Sequence, residues 1–123
     1  MAKIERFEDL HCWQQARELV KLVYESCEHG KLSKDFETRS QLKRAALSVI
    51  NNIAEGFGRG SSKDFIRFLD IAQSSALEVK SMTYTLMDLA YLEEEKITTI
   101  RLKAEETKSL TLGLIRYLRT KKT

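Results

Sequence analysis

Arg59-Gly60-Ser61-Ser62-Lys63, with Arg67 one helical turn beyond, is the densest group of residues in the chain whose types suit recognition chemistry. If a helix starts near Ser62, its free N–H groups, the serine hydroxyls and the cations Arg59, Lys63 and Arg67 can converge on a phosphate. The plainer alternative is a serine-capped turn carrying ordinary surface charges. Arg39 and Lys43 share a helix face at i, i+4 spacing, with Arg44 alongside. They either extend a basic strip or pair with acids such as Glu37 and Glu78. Arg116, Arg119, Lys121 and Lys122 stand with no acid between positions 116 and 123. They are either a phosphate-contacting tail or a solvated helix end whose charges suit the helix dipole.

Catalytic and metal chemistry find little support. The segment Gly58 to Lys63 lacks both the G-x-x-x-x-G-K-[ST] spacing and the preceding strand of a phosphate-binding loop. Asn52 and Glu55, with Gly56 and Gly58, read as a hydrogen-bonded lock for a turn rather than as an active site. Glu8-x-x-His11 occurs once, whereas metal-bridging bundles use paired motifs. His11 with Cys12 and Cys27 with His29 sit at opposite ends of one helical pattern, roughly 22 Å apart at 1.5 Å per residue. Neither a zinc set nor a disulfide can close over that span. The expectation is a non-enzymatic protein with no metal and no cofactor.

These groups need elements to hold them, and the pattern is helical throughout. Proline is absent from the 123 residues, so no helix is interrupted by it. Hydrophobic residues make up 42% and charged residues 32%, the balance of a folded chain with a solvated surface. Trp13, Ala16, Val20, Val23 and Cys27 form a first stripe, opened by Asp9 as N-cap and stopped by Gly30. Leu42, Ala46, Val49, Ile53 and Phe57 form a second, ended by the glycines at 56, 58 and 60. Ser61 with Asp64 resembles a capping box for the third, which carries Phe65, Leu69, Ala72, Ala76, Val79 and Leu86. Glu93, Glu94 and Glu95 suit the first turn of a fourth, built on Ile97, Ile100, Ala104, Thr107, Leu114 and Leu118.

Helices over roughly 9–29, 34–57, 62–91 and 94–120, joined by short links, predict one all-α domain over 1–123: an antiparallel up-down-up-down four-helix bundle. Val49 with Ile50, Phe65 with Phe68, and Leu110, Leu112, Leu114 and Ile115 exceed what one core needs. That surplus predicts a subunit interface. Trp13, Phe65 and Phe68 read as core or interface, which leaves no basic groove studded with aromatics. The formal charge of +3, from 21 Lys and Arg against 18 Asp and Glu, is too near balance to imply a polyanion partner for a lone subunit. No signal peptide or membrane span is evident, and a cytoplasmic address is expected.

Phe7-Glu8-Asp9-Leu10, Trp13-Gln14-Gln15-Ala16, Gln41-Leu42-Lys43-Arg44-Ala45-Ala46, Asn52-Ile53-Ala54-Glu55-Gly56-Phe57-Gly58-Arg59 and Phe65-Ile66-Arg67-Phe68-Leu69 occur in that order. Together they resemble the four-helix bundle proteins encoded in intervening sequences of bacterial 23S ribosomal RNA genes. The accessory variability protein of diversity-generating retroelements is similar in architecture. The resemblance implies a homopentameric ring, nucleic-acid binding through repeated basic surface, and a protein partner such as a reverse transcriptase. It implies no catalytic residue. A structural or protein-interaction scaffold that never touches nucleic acid is the alternative. Three positions depart from the pattern: Ile50 stands in place of a proline, and Ser74 and Ala90 in place of glycines. These changes predict straighter helices.

Overall fold

A computed structural model describes residues 3–121. Four helices account for most of them: α1 (His11–Ser26), α2 (Phe36–Phe57), α3 (Ser62–Asp88) and α4 (Glu94–Thr120). Short 3-10 turns at Phe7–Asp9 and Lys31–Lys34 precede α1 and α2.

The antiparallel order follows from cross-helix pairs. Cys27 meets the Arg39 carbonyl while Tyr24 meets Lys43, so α2 runs back along α1. Gln41 bonds Glu78 and Ser48 bonds Ser75, which reverses α3 against α2. Lys80 pairs with Glu105 at 3.0 Å and Thr83 with Arg101 at 2.9 Å, reversing α4 against α3. α4 then closes the square against α1, where Lys103 donates to Gln15. The enclosed core is contiguous and draws on every helix, including Leu19 and Val23, Leu42 and Ile53, Leu69 and Leu86, and Ile97 and Ile100. Thr83, Thr107 and Thr111 are buried too, and each hydroxyl donates to a carbonyl of its own helix.

Several boundaries differ from the sequence expectation. α1 starts at His11, and Asp9 lies in the preceding 3-10 turn, where its own N–H donates to the Arg6 carbonyl. Burial of Leu10 and packing of Phe7 on Trp13 (5.2 Å between ring centroids) fix the entry of the chain here, so no side-chain cap forms. Gly30 does not stop α1. The helix ends at Ser26, and Gly30 opens the turn that drives Leu32 into the core. α2 starts two residues later than expected, because Asp35 is its cap and accepts from Thr38 N at 3.1 Å. Ser61 caps α3 as predicted, accepting from Asp64 N at 3.2 Å.

α3 ends at Asp88 through a device the sequence hides. Ala90 takes φ 55°, the left-handed region, and the N–H groups of Ala90 and Tyr91 donate to the carbonyls of Met87 and Leu86, each at 3.0 Å. This is a Schellman stop made with alanine. The glycine replacement at Ala90 therefore does not straighten the chain. The Tyr91 hydroxyl then donates to Asp35 at 2.9 Å and ties both links of this end together.

The apolar surplus is also spent differently. Val49, Phe68 and Ile115 are buried within the subunit, and Ile50, Phe65, Leu112 and Leu114 half-buried. The open large side chains on α3 and α4 include Leu77 (50% exposed), Tyr84 (46%) and Leu102 (58%).

Candidate nucleic-acid interface

Each helix has two flanks beside its core stripe, and the contacts decide which neighbour each flank meets. On α1, Gln15 and Glu18 reach Lys103 of α4. The opposite flank, at helical spacing, carries Trp13, Arg17 and Tyr24 and faces α2, with Lys21 exposed at its outer edge. On α2, Gln41 and Ser48 reach α3, leaving Phe36, Arg39 and Lys43 on the flank that faces α1. The α1–α2 seam thus alternates aromatic rings with cations.

Three cation–π pairs lie along that seam. Arg17 stands over Trp13 at 5.8 Å, Lys43 over Tyr24 at 4.7 Å and Arg39 over Phe36 at 5.8 Å. Arg39 also donates to the Ser33 carbonyl at 3.0 Å. None of Arg17, Lys21, Arg39 and Lys43 forms an ion pair among the described residues. Glu28, two residues past the end of α1, is an acid near the same flank. Stacking fixes the long side chains while leaving their charge uncancelled, which is a geometry suited to phosphate.

Of the residues singled out in the sequence, Arg39 and Lys43 therefore belong to this seam. Arg44 does not: it points away and donates to Gln41 at 3.2 Å. Arg59 and Arg67 meet at another place, over the ring of Phe68 at 4.9 and 4.8 Å. Each also pairs with an acid, Arg59 with Glu55 at 3.4 Å and Arg67 with Asp64 at 3.6 Å. Lys63, Arg116, Arg119 and Lys121 are exposed. Lys121 shares a hollow of about 880 Å³ with Lys3, Gly60, Ser61 and Ser62, so the α2–α3 turn and the end of α4 occupy one end of the bundle. Lys122 lies outside the described residues.

The expected turn lock is divided. Asn52 donates to the Ser48 carbonyl at 2.7 Å and to its hydroxyl at 3.1 Å, and Ser48 bonds Ser75 at 2.8 Å; this polar clasp sits on the α2–α3 seam, not on the turn. Glu55 is exposed and paired with Arg59. At Gly56 α2 and α3 approach closely, since a Cβ there would stand 2.6 Å from Phe68 Cβ. Gly58 follows the last helical residue.

Arg17, Lys21, Tyr24 and Phe36 were not singled out as candidate site residues in the sequence, whereas Trp13, Phe65 and Phe68 are half-buried or buried, as their reading as core or interface expects. A signal was present in Trp13, Arg17 and Tyr24, which recur at helical spacing. Both cysteines are buried and free, and burial pushes the Cys12 thiol up to about 11 and raises Cys27 as well. Protonated thiols at neutral pH are poor nucleophiles. Among the described residues no three His, Cys, Asp or Glu side chains gather as a metal set, and no helix is long and apolar enough to cross a membrane.

A family model described as 23S rRNA-intervening sequence protein matches residues 8–113. Among solved structures, a protein of unknown function from the S23 ribosomal protein family of Bacteroides thetaiotaomicron is similar. It superposes with a TM-score of 0.77 at 24% identity, over 85% of this chain and 97% of its own. No curated protein matches.

Proposed function

Because the chain belongs to the 23S rRNA-intervening sequence protein family, we propose that it is a non-enzymatic homo-oligomer, a pentamer on the family resemblance, that binds RNA or DNA through basic surface repeated from subunit to subunit. The α1–α2 seam carries this reading, with Arg17, Arg39 and Lys43 free of carboxylate partners and braced on aromatic rings, and Lys21 exposed beside them. Exposed Leu77, Tyr84 and Leu102 support the oligomeric part, since such side chains on adjacent helices suit burial against another copy. Repetition matters because each seam offers few phosphate contacts, and linked sites multiply weak affinities.

Fluorescence anisotropy with labelled RNA and DNA at two salt concentrations tests the proposal. A site that neutralises about four phosphates gives a log–log salt slope of roughly −3 to −4. Arg17→Ala and Lys43→Ala each lower that slope by about one. Absence of binding to every single- and double-stranded probe at low salt removes the nucleic-acid reading. The same exposed apolar surface then favours a scaffold that recruits a protein such as a reverse transcriptase.

A further inference from the structure

Phe36 is the most exposed large hydrophobic side chain among the described residues, at 69%, and it sits on the first helical position of α2. Tyr24 is only 37% exposed and already covered by Lys43, while Trp13 is half-buried against Phe7. Phe36 is thus the seam aromatic whose ring is mostly open.

Its backbone is held firmly. Asp35 caps the helix through Thr38 and accepts from Tyr91 at 2.9 Å, so the ring projects from a braced corner rather than a loose loop. Beside it lies a shallow hollow of about 540 Å³ lined by Lys31, Lys34, Asp35, Phe36, Glu37 and Tyr91. Lys31 and Lys34 are exposed and unpaired among the described residues, and Arg39 reaches the ring from the seam. Two acids face the same hollow. Asp35 spends its oxygens on Thr38 and Tyr91, and Glu37 is outnumbered by the three cations.

We infer that Phe36 is a stacking platform for an unpaired nucleobase, with Lys31 and Lys34 on the flanking phosphates, which makes single strands the class of nucleic acid taken. This rests on the nucleic-acid reading above. A flat ring flanked by cations suits any base with a free face, and a duplex offers such faces only at its ends. The hollow lies at the end of the α1–α2 seam, so a strand stacked on Phe36 continues onto Arg39 and Lys43.

The test is anisotropy at one salt concentration with a labelled oligouridine and with an RNA duplex of equal length, accompanied by light scattering. Phe36→Ala is expected to weaken single-strand binding roughly 5- to 150-fold while leaving the salt slope and assembly mass unchanged. Phe36→Trp is expected to restore it. Exposure of the ring keeps the variant folded, which far-UV circular dichroism checks. Equal single-strand affinity in Phe36→Ala, tighter wild-type binding to the duplex, or a fall in assembly mass overturns the inference; the last makes Phe36 a subunit contact. If wild-type protein binds neither probe at low salt, the broader nucleic-acid reading falls and takes this inference with it.

Discussion

Gly56 and Gly58 stand two residues apart, yet alanine should act on them with opposite sign. At Gly56 an added Cβ meets Phe68 Cβ at 2.6 Å and Phe65 Cδ1 at 3.1 Å. Carbon atoms rest at about 3.5–4.0 Å, so the helices must part by about 1 Å. Rotamer change cannot relieve the first contact, because Phe68 Cβ is fixed to its backbone. Overpacking of this kind costs about 1–3 kcal/mol, offset by up to about 1 kcal/mol of helix propensity. The net expectation for Gly56→Ala is a loss of about 1–2 kcal/mol. Gly58 has helical φ −75° and ψ −8°, and a Cβ there meets only Glu55 O at 3.6 Å and Ala54 O at 3.7 Å. Gly58→Ala should therefore gain about 0.4–1 kcal/mol through the unfolded state. Urea unfolding followed by circular dichroism, at one protein concentration, reads the difference as a midpoint separation of about 1 M with unchanged m. A Gly56→Ala midpoint at or above wild type refutes the close-approach account.

Three further outcomes are expected. Ala90→Gly should raise stability by about 1 kcal/mol in thermal unfolding, because it relieves the φ of 55° that alanine adopts at some cost; a lowered melting temperature contradicts the stop described for α3. The Asp35 carboxyl is held below its usual range first by the Thr38 N–H and then by the hydroxyls of Thr38 and Tyr91. Its contribution is present above about pH 4 and lost as pH falls through the lower folded value, so unfolding midpoints of Asp35→Asn should decline less steeply than wild type below that point. Exchanging Lys43→Glu with Glu78→Lys preserves the formal charge of +3 but should lower the nucleic-acid salt slope by at least about one; unchanged binding would mean that net charge, not the seam, governs association.

The four helices were legible because apolar residues recur at helical spacing without proline, and because Ser61 and the glycines after Ala54 mark a break by their own chemistry. The stop at Ala90 was not, since alanine carries none of the glycine signal that usually marks the left-handed conformation it adopts there. Asp9 misled for the opposite reason: it has cap chemistry, but burial of Leu10 sets where α1 begins. That Arg39 and Lys43 share one face of α2 followed from their spacing alone. Arg17 and Lys21 were not singled out, because no pattern within α1 says which of its flanks meets α2 and which meets α4.

That division of flanks also changes what the net charge means. Five acids on the other helix faces are paired locally: Glu105 with Lys80, Glu18 and Glu106 with Lys103, Glu55 with Arg59 and Asp64 with Arg67. Each such pair is worth little on a surface, and it cancels a cation together with its acid, so those faces add little to the field that a ligand meets. The α1–α2 seam has no comparable pairing, and Arg17, Arg39 and Lys43 stack on rings that hold them in place. A modest total of +3 is therefore compatible with a concentrated positive strip. A Debye length of about 8 Å at physiological salt makes that strip, rather than the sum over the whole subunit, what an approaching phosphate meets.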